Sequence, residues 1–253
     1  MLYKFTFSPT GGTEKIASIL AAALSPDITD VDLTDRSIDL SQYSPKAQDL
    51  CLVSVPSYGG RVPDTAARRI AQIQGNGARA VLVVSYGNRA YEDTLLELEE
   101  LVHHAGFRCM AGVAAVAEHS IMRQFATGRP DAQDAAELTT FAEAILQKLS
   151  QTTPLLPVSF PGSRPYREYN GVPLMPKAGK ACQRCGLCAA RCPAGAITAE
   201  NPSHTDKKRC ISCMRCISLC PAHARSLNQL LFSVAAKKME SVCSGRKENE
   251  LFL

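Results

Sequence analysis

Two cysteine-rich stretches decide how the C-terminal part of the chain folds: residues 182–193 read CQRCGLCAARCP and residues 210–221 read CISCMRCISLCP. Each has the spacing Cys-x-x-Cys-x-x-Cys-x-x-x-Cys-Pro. Three thiolates at two-residue intervals suit a tight loop around one corner of a cubane cluster, and the proline turns the chain away after the fourth. The repeated spacing predicts two [4Fe–4S] clusters.

With this spacing, the fourth cysteine of each run ligates the cluster of the other run. We therefore expect one cluster to be bound by Cys182, Cys185, Cys188 and Cys220, and the second by Cys192, Cys210, Cys213 and Cys216. Zinc is the alternative because paired Cys-x-x-Cys also builds zinc sites, but eight cysteines in two proline-ended runs do not fit one zinc site. Residues 176–225 resemble the bacterial two-cluster ferredoxins, which carry one electron per cluster.

The length and composition predict a cytoplasmic protein of two domains. The chain has 253 residues, of which 45% are hydrophobic, and no run approaches the length of a membrane span. The short apolar start is interrupted at residues 8–12, which is not typical of a secretion signal. Eleven cysteines in the cytoplasm, where thiols stay reduced, are expected to be ligands or buried thiols and not a disulfide framework.

Charge is distributed unevenly along the chain. Residues 1–150 hold 13 Lys/Arg and 18 Asp/Glu, a net charge of −5, and residues 151–253 hold 15 and 6, a net charge of +9. Two clusters, each about −2 with its thiolates, would offset nearly half of that positive charge, so nucleic-acid binding is not indicated. The basic residues are expected to act as counter-charge around the clusters or as a docking face: Arg184, Arg191, Lys207, Lys208, Arg209 and Arg215.

Strand and helix patterns alternate over the first 150 residues. Apolar runs predict strands over 2–7, 28–33, 50–55, 80–85 and 107–117. Helical spacing predicts helices over 13–24, 63–74, 91–104 and 132–149, with a short one around 44–48. The alternation predicts an α/β fold with a five-stranded parallel, doubly wound sheet, in which ligands bind beyond the carboxyl ends of the strands.

The loop after the first strand has the composition of an anion site. Its glycines let backbone N–H groups approach a ligand, its hydroxyls add donors, and the next helix adds its dipole. The candidate ligands are Ser8, Thr10, Gly11, Gly12 and Thr13. The loop has no Gly-Lys-Ser/Thr, so it is not a nucleoside-triphosphate P-loop. It resembles the FMN phosphate loop of flavodoxins; an ordinary capped turn is the alternative.

The loops after the third and fourth strands fall where flavodoxin-like proteins bind the isoalloxazine ring. They supply Pro56, Ser57, Tyr58, Gly59 and Gly60, and then Tyr86, Gly87, Asn88, Arg89, Tyr91 and Asp93. The resemblance implies that Tyr58 and Tyr91 pack on the two flavin faces, with the glycines opening the way to its polar edge. Taken singly, each tyrosine is equally explained as a half-buried surface residue. Arg61 and Arg89 depart from the acidic surroundings of many flavodoxins and would raise the flavin potential; the alternative is that they point at a partner or at an anionic small-molecule substrate.

Four segments are expected: a flavodoxin-like domain over 1–150, a proline-rich connector over 151–175, a small α+β ferredoxin-like domain over 176–225, and a C-terminal helix and tail over 226–253. The connector is expected to lie against the first domain and hold the second near the flavin; a mobile linker is the alternative. Apolar residues at helical spacing from Leu227 to Ala235 predict a helix that docks on one domain. Cys243 reads as an incidental thiol, and His119 as a structural residue, with a place at the border of the flavin pocket as the alternative.

The chain as a whole resembles the fused flavodoxin–ferredoxin proteins of anaerobic bacteria and archaea, the EFR1-type family. The resemblance rests on the three loops, the connector around Pro161–Tyr166 and the cysteine runs. It implies electron transfer between FMN and two [4Fe–4S] clusters, with other redox proteins such as ferredoxins, flavodoxins or oxidoreductases as partners. The alternative is an FMN-dependent reductase of a small molecule that receives electrons through its clusters. A signalling or structural module with a vestigial flavin site is the third hypothesis.

Overall fold

One mixed sheet organises the molecule. The computed structural model describes residues 1–151 and 157–253. Its six-stranded sheet has the order β2-β1-β3-β4-β5-β8, with all pairs parallel except β5–β8. The strands are β1 (Leu2–Thr6), β2 (Ile28–Asp32), β3 (Leu50–Pro56), β4 (Arg79–Tyr86), β5 (Arg108–Val116) and β8 (Glu250–Phe252). The order of the first five is the doubly wound, flavodoxin-like one, which confirms the predicted fold class.

Helices cover both faces of this sheet, because the side chains of consecutive strand residues point into hydrophobic cores on opposite faces. Val53 and Leu82 point to the face covered by α2 (Asp64–Ile70) and α3 (Thr94–His104). Their neighbours Leu52 and Val81 point to the face covered by α1 (Gly12–Leu24) and α4 (Ala132–Leu149). Burial on both sides explains why β3 and β4 read as nearly continuous apolar runs.

The short helix predicted around residues 44–48 is absent from this part of the described structure, which has a single 3₁₀ turn earlier, at Leu40–Gln42. Pro45 has no backbone N–H to donate to a helix. The Lys46 N–H instead donates to the Asp49 carboxylate at 2.8 Å. Side-chain bonding of this kind offers the backbone an alternative to helix formation.

The cysteine runs form a small repeated unit. Strands β6 (Lys177–Ala178) and β7 (Arg225–Ser226) pair antiparallel and bring the two ends of the unit together. Each run turns into one short helix, α5 (Leu187–Ala190) or α6 (Arg215–Ser218), directly after its second cysteine. The residue at each turn is left-handed, Gly186 with φ 77° and Met214 with φ 62°. The sequence repeat is therefore also a backbone repeat.

The end of the chain returns to the first sheet, which the sequence did not predict. After α7 (Gln229–Cys243), strand β8 pairs with the edge of β5 through Gly112–Phe252, Val113–Leu251 and Ala114–Glu250. The ferredoxin-like unit therefore lies between the fifth and sixth strands of one sheet in sequence.

Helix α7 corrects a second expectation. Its apolar face was predicted to dock on a domain, yet Leu230, Leu231 and Val234 are 74%, 51% and 57% exposed. Only Cys243, at its last residue, is buried, and the carbonyl of Cys243 accepts a hydrogen bond from Asn88 Nδ2 at 2.6 Å. The helix is thus fixed at its C-terminal end, and Cys243 is a packed residue and not an incidental tail thiol.

Candidate redox site

A cleft opens at the carboxyl ends of the central strands. Because β1 lies between β2 and β3, the chain leaves β1 and β3 in opposite directions, and this reversal is where doubly wound sheets bind ligands. The loops after β1, β3, β4 and β5 all contribute to its walls. The lining residues are Pro9, Thr10, Gly12, Thr13, Pro56, Ser57, Tyr58, Ser85, Tyr86, Gly87, Ala117, Glu118, His119 and Ser120.

The first loop presents a row of free backbone donors. Gly11 is left-handed, with φ 91°, and α1 begins directly after it. Ser8 Oγ accepts from the Glu14 N–H at 2.9 Å, and Thr13 Oγ1 lies 2.7 Å from Ser85 Oγ. Within the described residues, the N–H groups from Thr10 to Thr13 have no protein acceptor. Such a row at a helix N-terminus suits a phosphate-like anion.

Tyr58 lies on the cleft, but its neighbouring glycines serve another purpose. The Tyr58 N–H donates to the Arg61 carbonyl at 3.0 Å, which closes a turn whose central residues Gly59 and Gly60 have φ 61° and 85°. A side chain at Gly59 would collide with Tyr169, and one at Gly60 with Glu92. These glycines therefore form a tight turn and make room for the connector, rather than opening a way to a flavin edge.

The third loop divides between two sides of the sheet edge. Tyr86 and Gly87 line the cleft. Tyr91 does not: it is 9% exposed and packs on Tyr86 with ring centroids 5.3 Å apart. Burial and the neighbouring Glu250 raise the pKa of Tyr91. The structure thus does not bring Tyr91 to the cleft. Tyr86 lines the cleft but is 6% exposed, and its Oη donates to the Glu248 carbonyl at 3.3 Å.

Four other residues predicted near the flavin have different partners. Asn88 is buried and holds the chain end by donating to the carbonyls of Cys243 and Gly245 at 2.6 and 2.7 Å. Arg89 pairs with Glu92. Two remain, Arg61 and Asp93, and both bind the connector.

Arg61 and Asp93 dock the connector onto α3. Both Arg61 Nε and Nη2 donate to the Glu97 carboxylate at 2.8 Å, which raises the pKa of Arg61, and Nη1 donates to the Arg167 carbonyl at 2.8 Å. Asp93 accepts from the N–H groups of Ser163 and Arg167 at 2.8 and 2.7 Å. Arg61 is therefore neutralised by a carboxylate.

Aromatic contacts add to this docking. Phe160 is buried where Gly112 leaves room on β5, and its ring lies 6.2 Å from that of Phe252. Tyr166 Oη donates to Glu100, and Arg61 lies 5.0 Å from the centre of the Tyr166 ring. The described part of the connector therefore lies against the first domain along much of its length; residues 152–156 are outside the described structure.

Four thiols from the two cysteine runs come together on the inner side of the small unit. We call Cys192, Cys210, Cys213 and Cys216 the inner group. The pKa of Cys213 is raised to about 12, chiefly by burial and also by negative charge on the other three thiols. Cys192, although it belongs to the first run, is therefore close to the thiols of the second. Its Sγ accepts from the Ala196 N–H at 3.3 Å.

The remaining four thiols, Cys182, Cys185, Cys188 and Cys220, form the outer group. Cys185 is exposed, and Cys220 Sγ accepts from the Ala224 N–H at 3.3 Å. Among the described residues, no three His, Cys, Asp or Glu side chains are arranged around a point that would suit a single metal ion. Thiolates that bind separate irons of a cluster are spaced more widely than ligands of one zinc ion.

The inner group lies beside the cleft. Helix α6 follows Cys213, and its residues Ile217 and Ser218 line a second pocket together with Thr10 and Gly12 of the first loop. On the far side, Arg69 Nη2 donates to the Pro193 carbonyl at 2.9 Å, directly after Cys192. Burial raises the pKa of Tyr58, and charge on Cys213 raises it further, which places this cleft tyrosine near an inner thiol.

The fourth wall of the cleft was mostly missed at the sequence level. This wall is formed by the four residues that follow β5, Ala117, Glu118, His119 and Ser120. The rule that ligands bind beyond the carboxyl ends of the strands, applied above to the other strands, holds for this loop as well. His119 borders the cleft. Its Nδ1 accepts from the N–H groups of Ile121 and Met122 at 3.1 and 3.2 Å, and burial lowers its pKa to about 4. His119 is therefore neutral at pH 7, with its proton on Nε2.

Comparison with known families supports one half of this arrangement directly. Residues 177–226 match the family model described as a 4Fe-4S dicluster domain. This chain joins a flavodoxin-like sheet to a 4Fe-4S dicluster region. The two halves make electron transfer its general function.

Solved flavodoxins superpose on the first part of the chain at low scores. The Streptococcus pneumoniae TIGR4 flavodoxin is 23% identical, with a TM-score of 0.42 over 58% of this chain and 99% of its own. The two-electron reduced Megasphaera elsdenii flavodoxin is 20% identical, with a TM-score of 0.42 over 57% and 99%. An archaeal flavodoxin is 12% identical, with a TM-score of 0.44 over 60% and 100%.

The curated proteins gave no match to this chain. Among the described residues, no helix is both long enough and apolar enough to cross a membrane.

Proposed function

We propose that the chain carries electrons between an FMN in the cleft and two [4Fe–4S] clusters, so that a two-electron partner can exchange with a one-electron partner. The observation that carries this proposal is the position of the inner thiols. The second cysteine run lies over the phosphate-type loop, and Cys213 is near Tyr58. A cluster on the inner group would thus be a neighbour of the flavin.

The residues of the cleft fit FMN. The N–H groups of Thr10 to Thr13 are unoccupied donors for its phosphate, and Gly12 leaves the loop close to Ala117, whose Cβ would lie 3.1 Å from a Cβ at residue 12. Tyr58 lines the cleft and supplies aromatic surface for the ring. FMN, when bound, accepts one or two electrons, whereas each cluster accepts only one.

The two thiol groups imply an order of transfer. The inner group would exchange electrons with the cleft, and the outer group, with Cys185 exposed, would exchange them with another protein. Lys180, just before this run, and Arg184 within it are exposed and favour an acidic redox protein as that partner.

The reductase hypothesis relied on basic residues beside the flavin that would attract an anionic substrate. Those residues were Arg61 and Arg89, and both are paired with carboxylates on the side of the loops away from the cleft. The position of α6 beside the phosphate-type loop also favours protein-mediated exchange. The carrier is therefore the better-supported proposal.

The test is anaerobic purification with flavin and iron counts on the full chain. We expect one FMN and about eight irons per chain. The double variant Thr10→Ala/Gly12→Val should lose FMN because it crowds the loop against Ala117, while it keeps the iron–sulfur absorbance. Thr139→Ala, on the exposed face of α4, is the control and should keep both. Retained FMN in the double variant would reject the phosphate loop; zinc in place of iron would reject the clusters.

A further inference from the structure

One side chain of the cysteine runs reaches the phosphate-type loop. Arg215 is the first residue of α6 and directly precedes the inner thiol Cys216. Its Nη1 donates to the carbonyls of Ser8 and Pro9, at 3.4 and 3.2 Å. The sequence predicted Arg215 as cluster counter-charge or as part of a docking face, and neither prediction places it on the first domain.

The contact to Pro9 has a consequence for the next peptide N–H. In a trans peptide the carbonyl of one residue and the N–H of the next point in opposite directions. By holding the Pro9 carbonyl on its own side, Arg215 turns the Thr10 N–H to the other side of the loop. Thr10 begins the row of N–H groups that have no protein acceptor in the described chain.

The charge of Arg215 is also available to this loop. The carboxylates that share a pocket with Arg215 are Glu14, Asp30 and Asp32, and the first two pair with Lys4. Within the described residues, no carboxylate pairs with Arg215, and its Nε is buried without a hydrogen-bond partner. A guanidinium stays charged at any physiological pH, so it adds a fixed positive charge to a loop that has none of its own.

We propose that Arg215 is a positioning residue for the FMN phosphate, supplied by the ferredoxin-like unit to the flavodoxin-like loop. It orients the Pro9–Thr10 peptide and provides the cationic charge that the loop lacks. The proposal rests on FMN binding in the cleft, as set out above. One side chain then links the two cofactor sites, since residue 215 lies between two inner thiols and contacts the loop.

The test compares FMN with riboflavin, which lacks the phosphate. Both are titrated by flavin fluorescence into the full chain with its clusters intact. We expect Arg215→Ala to weaken FMN at least tenfold and to leave riboflavin unchanged, because the hydrogen bond that the oriented Thr10 N–H makes to a charged phosphate is lost only for FMN. Arg215→Lys keeps the charge without the fork and should lose less. Lys208→Ala, an exposed residue of the same unit, is the control for net charge and should change neither.

Distinct results would overturn distinct claims. Unchanged FMN affinity in Arg215→Ala would reject the role of Arg215, as would equal weakening of FMN and riboflavin, which would indicate a general disturbance of the cleft. If Arg215→Ala loses iron, the same two titrations are made with Arg215→Lys. The role is then rejected if the affinity of this variant for FMN changes no more than its affinity for riboflavin. A wild-type chain that binds neither flavin would instead reject the proposed function.

Discussion

Asp93 was predicted to lie in the flavin loop, whereas its carboxylate holds the connector. It is 7% exposed and accepts two backbone hydrogen bonds, from Ser163 at 2.8 Å and from Arg167 at 2.7 Å. Asp93→Ala removes both acceptors at once. A hydrogen bond to a charged group contributes about 1.5–3 kcal/mol, so the loss of two lowers the free energy of connector opening by about 3 kcal/mol.

Trypsin measures that opening directly. A decrease of about 3 kcal/mol raises the open population roughly 150-fold, and native-state proteolysis follows this population when opening is fast relative to cleavage. The Arg167–Glu168 bond lies in the opened segment, and we expect cleavage there to accelerate by about two orders of magnitude. Residual contacts, such as the bond from Arg61 to the Arg167 carbonyl, still slow it relative to an unfolded chain.

FMN affinity separates the two roles of Asp93. Since the carboxylate is absent from the cleft lining, we expect the Kd for FMN to stay within about threefold of wild type. Asp27→Ala, an exposed surface change, is the control for both measurements. FMN loss with an unchanged rate of cleavage would refute the reasoning and return Asp93 to the flavin site.

Three further changes test the structure elsewhere. The pKa of His119 is about 4, below the ordinary 6.5, so on acidification the unfolded state binds the proton first. The free energy of unfolding is therefore full above pH 6.5 and falls by about 2 kcal/mol between pH 7 and 5, as measured by native-state hydrogen exchange. In His119→Gln this dependence of stability on pH should flatten. Asn249→Ala removes the side-chain oxygen that accepts from the buried Val116 N–H at 2.9 Å. Amide hydrogen exchange in β5 should then report a loss of about 2 kcal/mol in stability, and unchanged protection would count against the contact. Cys192→Ser should disturb the cluster of the second run, seen by electron paramagnetic resonance after reduction; loss of the outer cluster alone would contradict crossed ligation.

Local sequence signals were sufficient for the first five strands of the main sheet. The strands from Leu50 and Arg79 are buried on both faces, so each reads as a nearly continuous apolar run. Helix α4 matches its predicted bounds at both ends, Ala132 and Leu149. Its start is fixed locally by a capping box in which the side chains of Asp131 and Asp134 bond each other's backbone.

The direction in which a side chain points, by contrast, depends on contacts with residues far away in the sequence. The spacing from Gly87 to Tyr91 predicted an aromatic residue near the cleft but not the side of β4 to which it turns. The ring of Tyr91 packs on Tyr86, with Glu250 beside it, and no pattern around residue 91 encodes a contact with residue 250. Strand β8 was missed for the same reason. Three residues are too few to show the alternation of a strand, and they form one only because they pair with β5.

The connector was expected to hold the cluster region near the first domain, but the region is held on three sides. Asp93 holds the segment that enters it, and Arg69 and Arg215 bind its inner surface. On leaving it, the chain is fixed by Asn88 and then by the pairing of β8 with β5. Since separation requires all three to break, the cluster region cannot swing away from the cleft without opening the sheet edge. Under the proposed function, electron exchange between the two halves would depend on a fixed arrangement and not on domain motion, so its rate should not respond to solvent viscosity, whereas exchange with a partner protein should.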